Sequence, residues 1–325
     1  MTLTKKHTQQ LRGIAIVCVL LIHTLATVKG IYTDRPFNLV VFFLDQASRI
    51  SVPLFLMVSG YGLSKSFESK KTNILPFLFA RFIALIPAYV LWTSITILIN
   101  WHTPQWTYAG WPPPLWEQFF LGHGDYHLYF VPIILQLYLL FPLMYMFIRK
   151  KPLAVWGIFA IQLLTFYYFK QQTFTDGFEY TILTSWIGYF ALGIWLSSNE
   201  ISKKVALHLP KWSVLALVAV TIIAWVRTID GIDPLYALKF TRFDLLFFTI
   251  PACLFFFTKN IPQLPLLSFI GKNSFVLYLS HTLFLRIISA FHQKQLEPLH
   301  LFGIGFVWTL TVLLTLLLMR KKMTN

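Results

Sequence analysis

The chain has 325 residues, 57% of them hydrophobic and 12% charged, with a mean hydropathy of +0.65 and a formal net charge of +15. Soluble domains carry about 25% charged residues, so this composition excludes a soluble enzyme or binding module. The basic residues lie in short segments between alternate apolar runs rather than in one patch, which argues against a nucleic-acid partner and reads as a membrane topology signal.

Apolar runs near 20 residues recur from end to end, and each is long enough to cross a hydrocarbon core of roughly 30 Å. They are solid runs, not the alternating segments of about ten residues that build a barrel. The expected fold class is therefore all-α, a polytopic membrane helix bundle. Ten transmembrane helices are predicted, at about 11–29, 38–63, 75–99, 127–148, 152–169, 180–197, 212–229, 237–257, 267–290 and 301–319. No small-residue cleavage site follows the first run, so it reads as a retained helix rather than a signal peptide. Cys18 and Cys253 both sit in apolar runs and read as small buried hydrophobes, not as a disulfide.

The loops set the orientation. Lys5 and Lys6 precede the first span, and Lys65, Lys70 and Lys71 follow the second. Arg149 to Lys151 follow the fourth, Lys203, Lys204 and Lys211 the sixth, Lys259 the eighth, and Arg320 to Lys322 the tenth. The opposite loops hold few, among them Lys29, Arg35, Lys170 and Lys294. The positive-inside rule then puts both termini in the cytoplasm, in agreement with an even number of spans. No internal repeat, low-complexity tract or appended soluble domain is expected, so residues 1–325 read as one integral membrane domain in the plasma membrane. The longest outer loop, "WHTPQWTYAGWPPPLWEQFFLGHGDYHLYF" at 101–130, is rich in tryptophan. It suits an aromatic belt at the lipid–water boundary, or a surface on which a sugar acceptor stacks.

The first span, "LRGIAIVCVLLIHT", carries Arg12 at its head and His23 deep inside. Ionisable residues within a span are functional hypotheses by default. Eleven residues apart, the two lie within about 20° of each other around the helix and about 16 Å apart along it. An arginine at one end grips phosphates, and a histidine at the other can act as general base. The pattern suits an extended ligand with an anionic head, such as an acyl-CoA entering from the cytoplasm. Equally open is a snorkelling Arg12 with His23 as a helix-packing group.

Elsewhere, His281 in the ninth span falls at nearly the depth of His23, flanked by Tyr278 and Ser280 as hydrogen-bond donors. It reads as part of one site with His23, as a group orienting an acceptor, or as a polar contact between helices. Asn273 is a helix-capping candidate. Asp45 and Arg49 are spaced for an i,i+4 ion pair, whereas Arg242 and Asp244, two apart, need partners on other helices. Asp125 can orient His127 at the outer mouth. No metal-ligand spacing and no Gly-rich phosphate loop occur, so no metal or bound cofactor is expected beyond an acyl-CoA co-substrate.

Four segments together resemble acyltransferase family 3, integral membrane acyltransferases that modify envelope carbohydrates among other acceptors. "LRGIAIVCVLLIH" matches the family's arginine and, after ten residues, histidine, at Arg12 and His23. "VPLFLMVSGYGL" is similar to the second-helix pattern ending in Ser59 and Gly60. "HLYFVPIILQLYLLFPLM", which opens on His127, and "IGKNSFVLYLSHTLFL", which holds Tyr278 and His281, look like later family segments. One departure stands out: the family's Arg-x-x-Arg pair in the third helix is reduced here to Arg81, with Ala84 in the second position.

The resemblance implies an O-acyltransferase moving an acyl group, acetyl by default, from cytoplasmic acyl-CoA to a hydroxyl of a polysaccharide, peptidoglycan or lipid-linked sugar. It implies His23 and Arg12 as catalytic residues, with Arg81, His281, Ser59, Tyr278 and His127 binding substrate. Some members carry a fused extracytoplasmic hydrolase-like domain, so a chain without one implies direct transfer or a separate extracytoplasmic partner. Two other classes fit ten helices with buried charges: a polysaccharide exporter or transporter, and an inactive scaffold of an envelope-assembly complex. The first lacks the inverted repeats and paired broken spans expected of transporters.

Overall fold

The structure, a computed structural model, describes residues 3–29, 37–70, 73–102, 113–171, 178–232, 238–259 and 261–292. The expected tenth span and its basic tail lie outside the described residues. Among the described residues every regular element is helical. In chain order these are α1 (Lys5–Lys29), α2 (Phe37–Ser48), α3 (Ser51–Lys70), α4 (Ile74–His102), the short α5 (Leu115–Phe120), α6 (Phe130–Lys150) and α7 (Ala154–Gln171). They continue as α8 (Phe178–Thr181), a 3-10 turn (Leu183–Ser185), α9 (Ile187–Leu196), α10 (Lys203–Ile229), α11 (Phe243–Thr258), α12 (Pro265–Lys272) and α13 (Ser274–His292).

Among the described residues, five stretches are long and apolar enough to cross a membrane: Lys5–Ala26, Leu39–Ser69, Ile74–Trp101, Phe130–Lys150 and Lys203–Ile229. Shorter apolar helices cover Ala154–Lys170, Ile187–Leu196 and Phe243–Thr258. α4 shows why the surrounding medium is lipid. Leu75, Phe79, Ile83, Leu91 and Leu98 are all exposed along it. In water that stripe would be a large unfavourable apolar patch, whereas in hydrocarbon it is simply solvated.

Three expected spans are interrupted. The run expected at 38–63 parts at Arg49–Ile50, where Arg49 N–H turns back to the Gln46 carbonyl (3.2 Å). The break coincides with a buried polar string, Asp45, Gln46, Ser48, Arg49 and Ser51. Irregular backbone at membrane depth persists only where protein covers it, and this string supplies that cover. The run expected at 267–290 parts at Asn273, whose side-chain amide donates to the Phe269 carbonyl (2.9 Å). Asn273 thus closes α12, and its own carbonyl accepts from Leu277 N–H (3.2 Å) at the start of the helix that follows. The run expected at 180–197 is divided among α8, the 3-10 turn and α9. α10 begins well before the predicted 212, because Ser202 caps it by accepting from Val205 N–H (3.3 Å).

The described residues divide into two compact units, one made of those up to Phe55 and from Ile201 on, the other of those in Leu56–Glu200. In the first, α1 packs on α12, α2 and α13, and α10 packs on α11 and α2. The α1–α12 crossing is made by glycines: a Cβ on Gly271 would strike the Gln9 carbonyl, and one on Gly13 the Leu267 carbonyl. Backbones approach this closely only where no side chain intervenes. His7 Nε2–H donates to the Phe256 carbonyl (3.1 Å) and Gln10 Nε2 to that of Pro262 (2.8 Å), tying the start of α1 to α11 and to the segment before α12. Both cysteines are free thiols.

In the second unit, α9 packs on α6 and α7. α3 crosses α9 by the same device: a Cβ on Gly60 would strike the Phe190 carbonyl, and one on Gly193 the Met57 carbonyl. Phe67, Phe77, Phe141 and Tyr145 form an aromatic cluster, with rings meeting edge to face or tilted at 5.4–6.4 Å.

Candidate active site

Arg12 and His23 both lie on α1, which runs without a break from Lys5 to Lys29, so their shared face and axial separation of about 16 Å are preserved. Neither is fully buried. α12, seated on α1 by Gly13 and Gly271, leads through Asn273 into α13, and α13 also packs on α1. That route brings His281 to His23: the ring centres are 5.0 Å apart, with 32° between the planes. Tyr278 lies one turn earlier on α13, its ring 5.9 Å from that of His281.

His281 is completely buried, and its Nδ1 is 2.7 Å from the Tyr278 carbonyl oxygen. A carbonyl only accepts, so Nδ1 carries the hydrogen and Nε2 is the accepting nitrogen of the neutral ring. Ser280, expected beside His281 as a donor, gives its hydroxyl hydrogen to the Val276 carbonyl of its own helix (2.9 Å).

The second unit holds the other sequence candidates. Arg81 Nη2 donates to Ser66 Oγ (2.8 Å), and its guanidinium lies over the Phe77 ring at 5.1 Å. Ser59 is half-buried on α3, next to the Gly60 crossing. His127 and Asp125 are both buried, with Nδ1 3.6 Å from Oδ2, while Asp125 Oδ1 accepts from Tyr126 N–H (2.8 Å). This separation is too long for a close hydrogen bond.

Further charged groups stand out, and Glu68 is the one that the sequence did not single out. Glu68 gathers the basic end of α3 and α6: it lies 3.3 Å from Lys65 Nζ, accepts from Tyr145 O–H (3.3 Å) and pairs with Arg149 Nη1 (3.4 Å). The Lys65–Glu68 spacing was its one visible signal. Asp45 and Arg49 pair as their spacing predicted, Nε to Oδ2 at 3.0 Å, with Gln46 Nε2 on the same oxygen (2.8 Å) and the Arg49 guanidinium 4.5 Å from the Phe240 ring centre. Arg242 and Asp244 were expected to need partners on other helices, yet they pair with each other. Arg242 is extended, just before α11, so the helical geometry that separates i from i+2 does not apply to it. Arg227 Nη1 also lies 3.6 Å from Asp244 Oδ1. Among the described residues, no cluster of three His, Cys, Asp or Glu side chains could hold a metal ion.

The family model described as an acyltransferase domain matches residues 9–318, nearly the whole chain. No curated protein and no solved structure matches it.

Proposed function

Since the chain belongs to acyltransferase family 3, a membrane acyltransferase in general terms, we propose that it moves an acetyl group from cytoplasmic acetyl-CoA to a hydroxyl of an envelope glycan. The observation that carries this reading is the uninterrupted α1, which sets a guanidinium and an imidazole on one face about 16 Å apart. Arg12 holds the phosphates of the donor at the cytoplasmic end, and the extended pantetheine arm runs along α1 toward His23. His23, partly exposed, is the general base.

The reaction then balances as a direct transfer. His23 takes the proton of the acceptor hydroxyl as its oxygen bonds to the thioester carbonyl carbon. The C–S bond breaks, and the departing thiolate recovers the proton from the His23 imidazolium, giving an ester and free CoA. Arg81 supplies a second cation for the donor. Ser59, Tyr278 and His127 belong to the substrate-binding set, and His281 contributes to it through the neighbouring His23 ring. Both termini lie in the cytoplasm of a plasma-membrane protein, and the acceptor comes from the outer side or from within the bilayer, directly or through a separate extracytoplasmic partner.

The test is transfer of radiolabelled acetyl from acetyl-CoA in membranes that contain the protein. Label entering an envelope glycan, above the level in membranes lacking the protein, is the expected result. Free labelled acetate with no labelled glycan would contradict the proposed acceptor class.

A further inference from the structure

We propose that His281 is the positioning residue of the active-site base: it orients His23 and accepts the hydrogen on the His23 nitrogen that faces away from the reacting hydroxyl. This rests on the reading of His23 as base. Of the two rings only His23 is partly exposed; His281 is wholly enclosed, so it acts through His23 rather than on substrate.

The geometry supplies each link. The Tyr278 carbonyl, 2.7 Å from Nδ1, fixes the hydrogen of His281 there and leaves Nε2 as an acceptor. An imidazole nitrogen lies about 1.1 Å from its ring centre, so two imidazoles joined by an N–H···N bond of about 3 Å stand about 5 Å apart. The observed separation is 5.0 Å, and the 32° between the planes permits such a bond once substrate tightens the site. When His23 takes the hydroxyl proton, both its nitrogens become donors. A neutral His281 accepts from one of them and stabilises the cation, whereas a second charged ring at this distance would oppose it. A backbone carbonyl, acting through an intervening imidazole, thus fills the orienting role often given to a carboxylate beside a catalytic histidine.

The experiment compares His281→Asn and His281→Gln in the full chain in membranes, with labelled acetyl-CoA as probe and rates taken per folded molecule. Asparagine keeps a donor for the Tyr278 carbonyl but ends short of the Nε2 position; glutamine reaches it with an amide oxygen. Expected are a loss of kcat of about 100-fold for His281→Asn, KM for acetyl-CoA within about twofold of wild type, and recovery of at least about tenfold by His281→Gln. In a His23→Ala background, His281→Asn should change nothing further. A His281→Asn enzyme with wild-type kcat, or equal losses from Asn and Gln, would overturn the proposal. Should neither variant accumulate, ¹⁵N spectra of histidine-labelled protein decide: one buried ring must show the Nδ1–H tautomer and shift when His23 is replaced by alanine, and a spectrum without such a ring overturns it. If His23→Ala itself transfers label like wild type, the base assignment fails whatever His281 does; if His23→Ala is inactive while His281→Asn is normal, only the positioning role fails.

Discussion

Burial separates residues that the sequence makes look alike. His23 and His281 are both histidines in apolar runs, yet one is partly open and the other enclosed against a backbone carbonyl, and the roles proposed for them divide along that line. Asp45 and Arg49 illustrate a different use of buried charge. The carboxylate is satisfied by Arg49 and Gln46 together, and the guanidinium rests on Phe240. Removing one partner of such a pair strands the other, a change that costs about 3–5 kcal/mol, while replacing both by apolar residues is far milder. Asp45→Ala should therefore lower the thermal unfolding midpoint of the purified protein sharply, and Asp45→Ala with Arg49→Leu should restore much of it. Equal midpoints for wild type and Asp45→Ala would show that the pair contributes little.

Helix crossings explain how those residues are delivered. α1 and α12 touch backbone to backbone at Gly13 and Gly271, and this places α13, with His281, against the far half of α1. Gly271→Val must push α12 off the Gln9 carbonyl, so it should reduce transfer at least about tenfold or deplete folded protein, as judged by rates per molecule and by detergent-stable yield. Gly157→Ala is the matched control, because a Cβ at Gly157 meets nothing within 4 Å; normal rate and yield are expected there. Helix existence was legible from the apolar runs, and the Asp45–Arg49 pair from its spacing. The breaks at Arg49–Ile50 and Asn273 were not: each falls in a polar interruption of its run, Asp45–Ser51 and Lys272–Ser274, but a few polar residues also occur inside unbroken membrane helices. Nor were the glycine contacts, because a glycine within an apolar run shows no sign of what it faces until a second helix is laid against it.

Across the whole molecule, apolar surface and basic segments describe one membrane-embedded enzyme. The exposed stripe of α4 requires lipid around it. Glu68, bound by Lys65, Tyr145 and Arg149, moderates the basic end of α3 and α6. The nearness of His23 and His281 was readable from their like places in two apolar runs, and their rings do meet. The division of the chain into two units was not readable, because motif order says nothing about compactness. The central claim is that Arg12 and His23 hold opposite ends of one acyl donor, and its most direct test is the kinetic split between their alanine variants. Steady-state transfer should show KM for acetyl-CoA raised about 10–100-fold in Arg12→Ala with kcat little changed, as loss of a charge-assisted phosphate contact of about 1.5–3 kcal/mol requires. His23→Ala should bind acetyl-CoA like wild type and lose transfer by at least about 100-fold. Wild-type transfer by His23→Ala, or an unchanged KM in Arg12→Ala, would contradict the account.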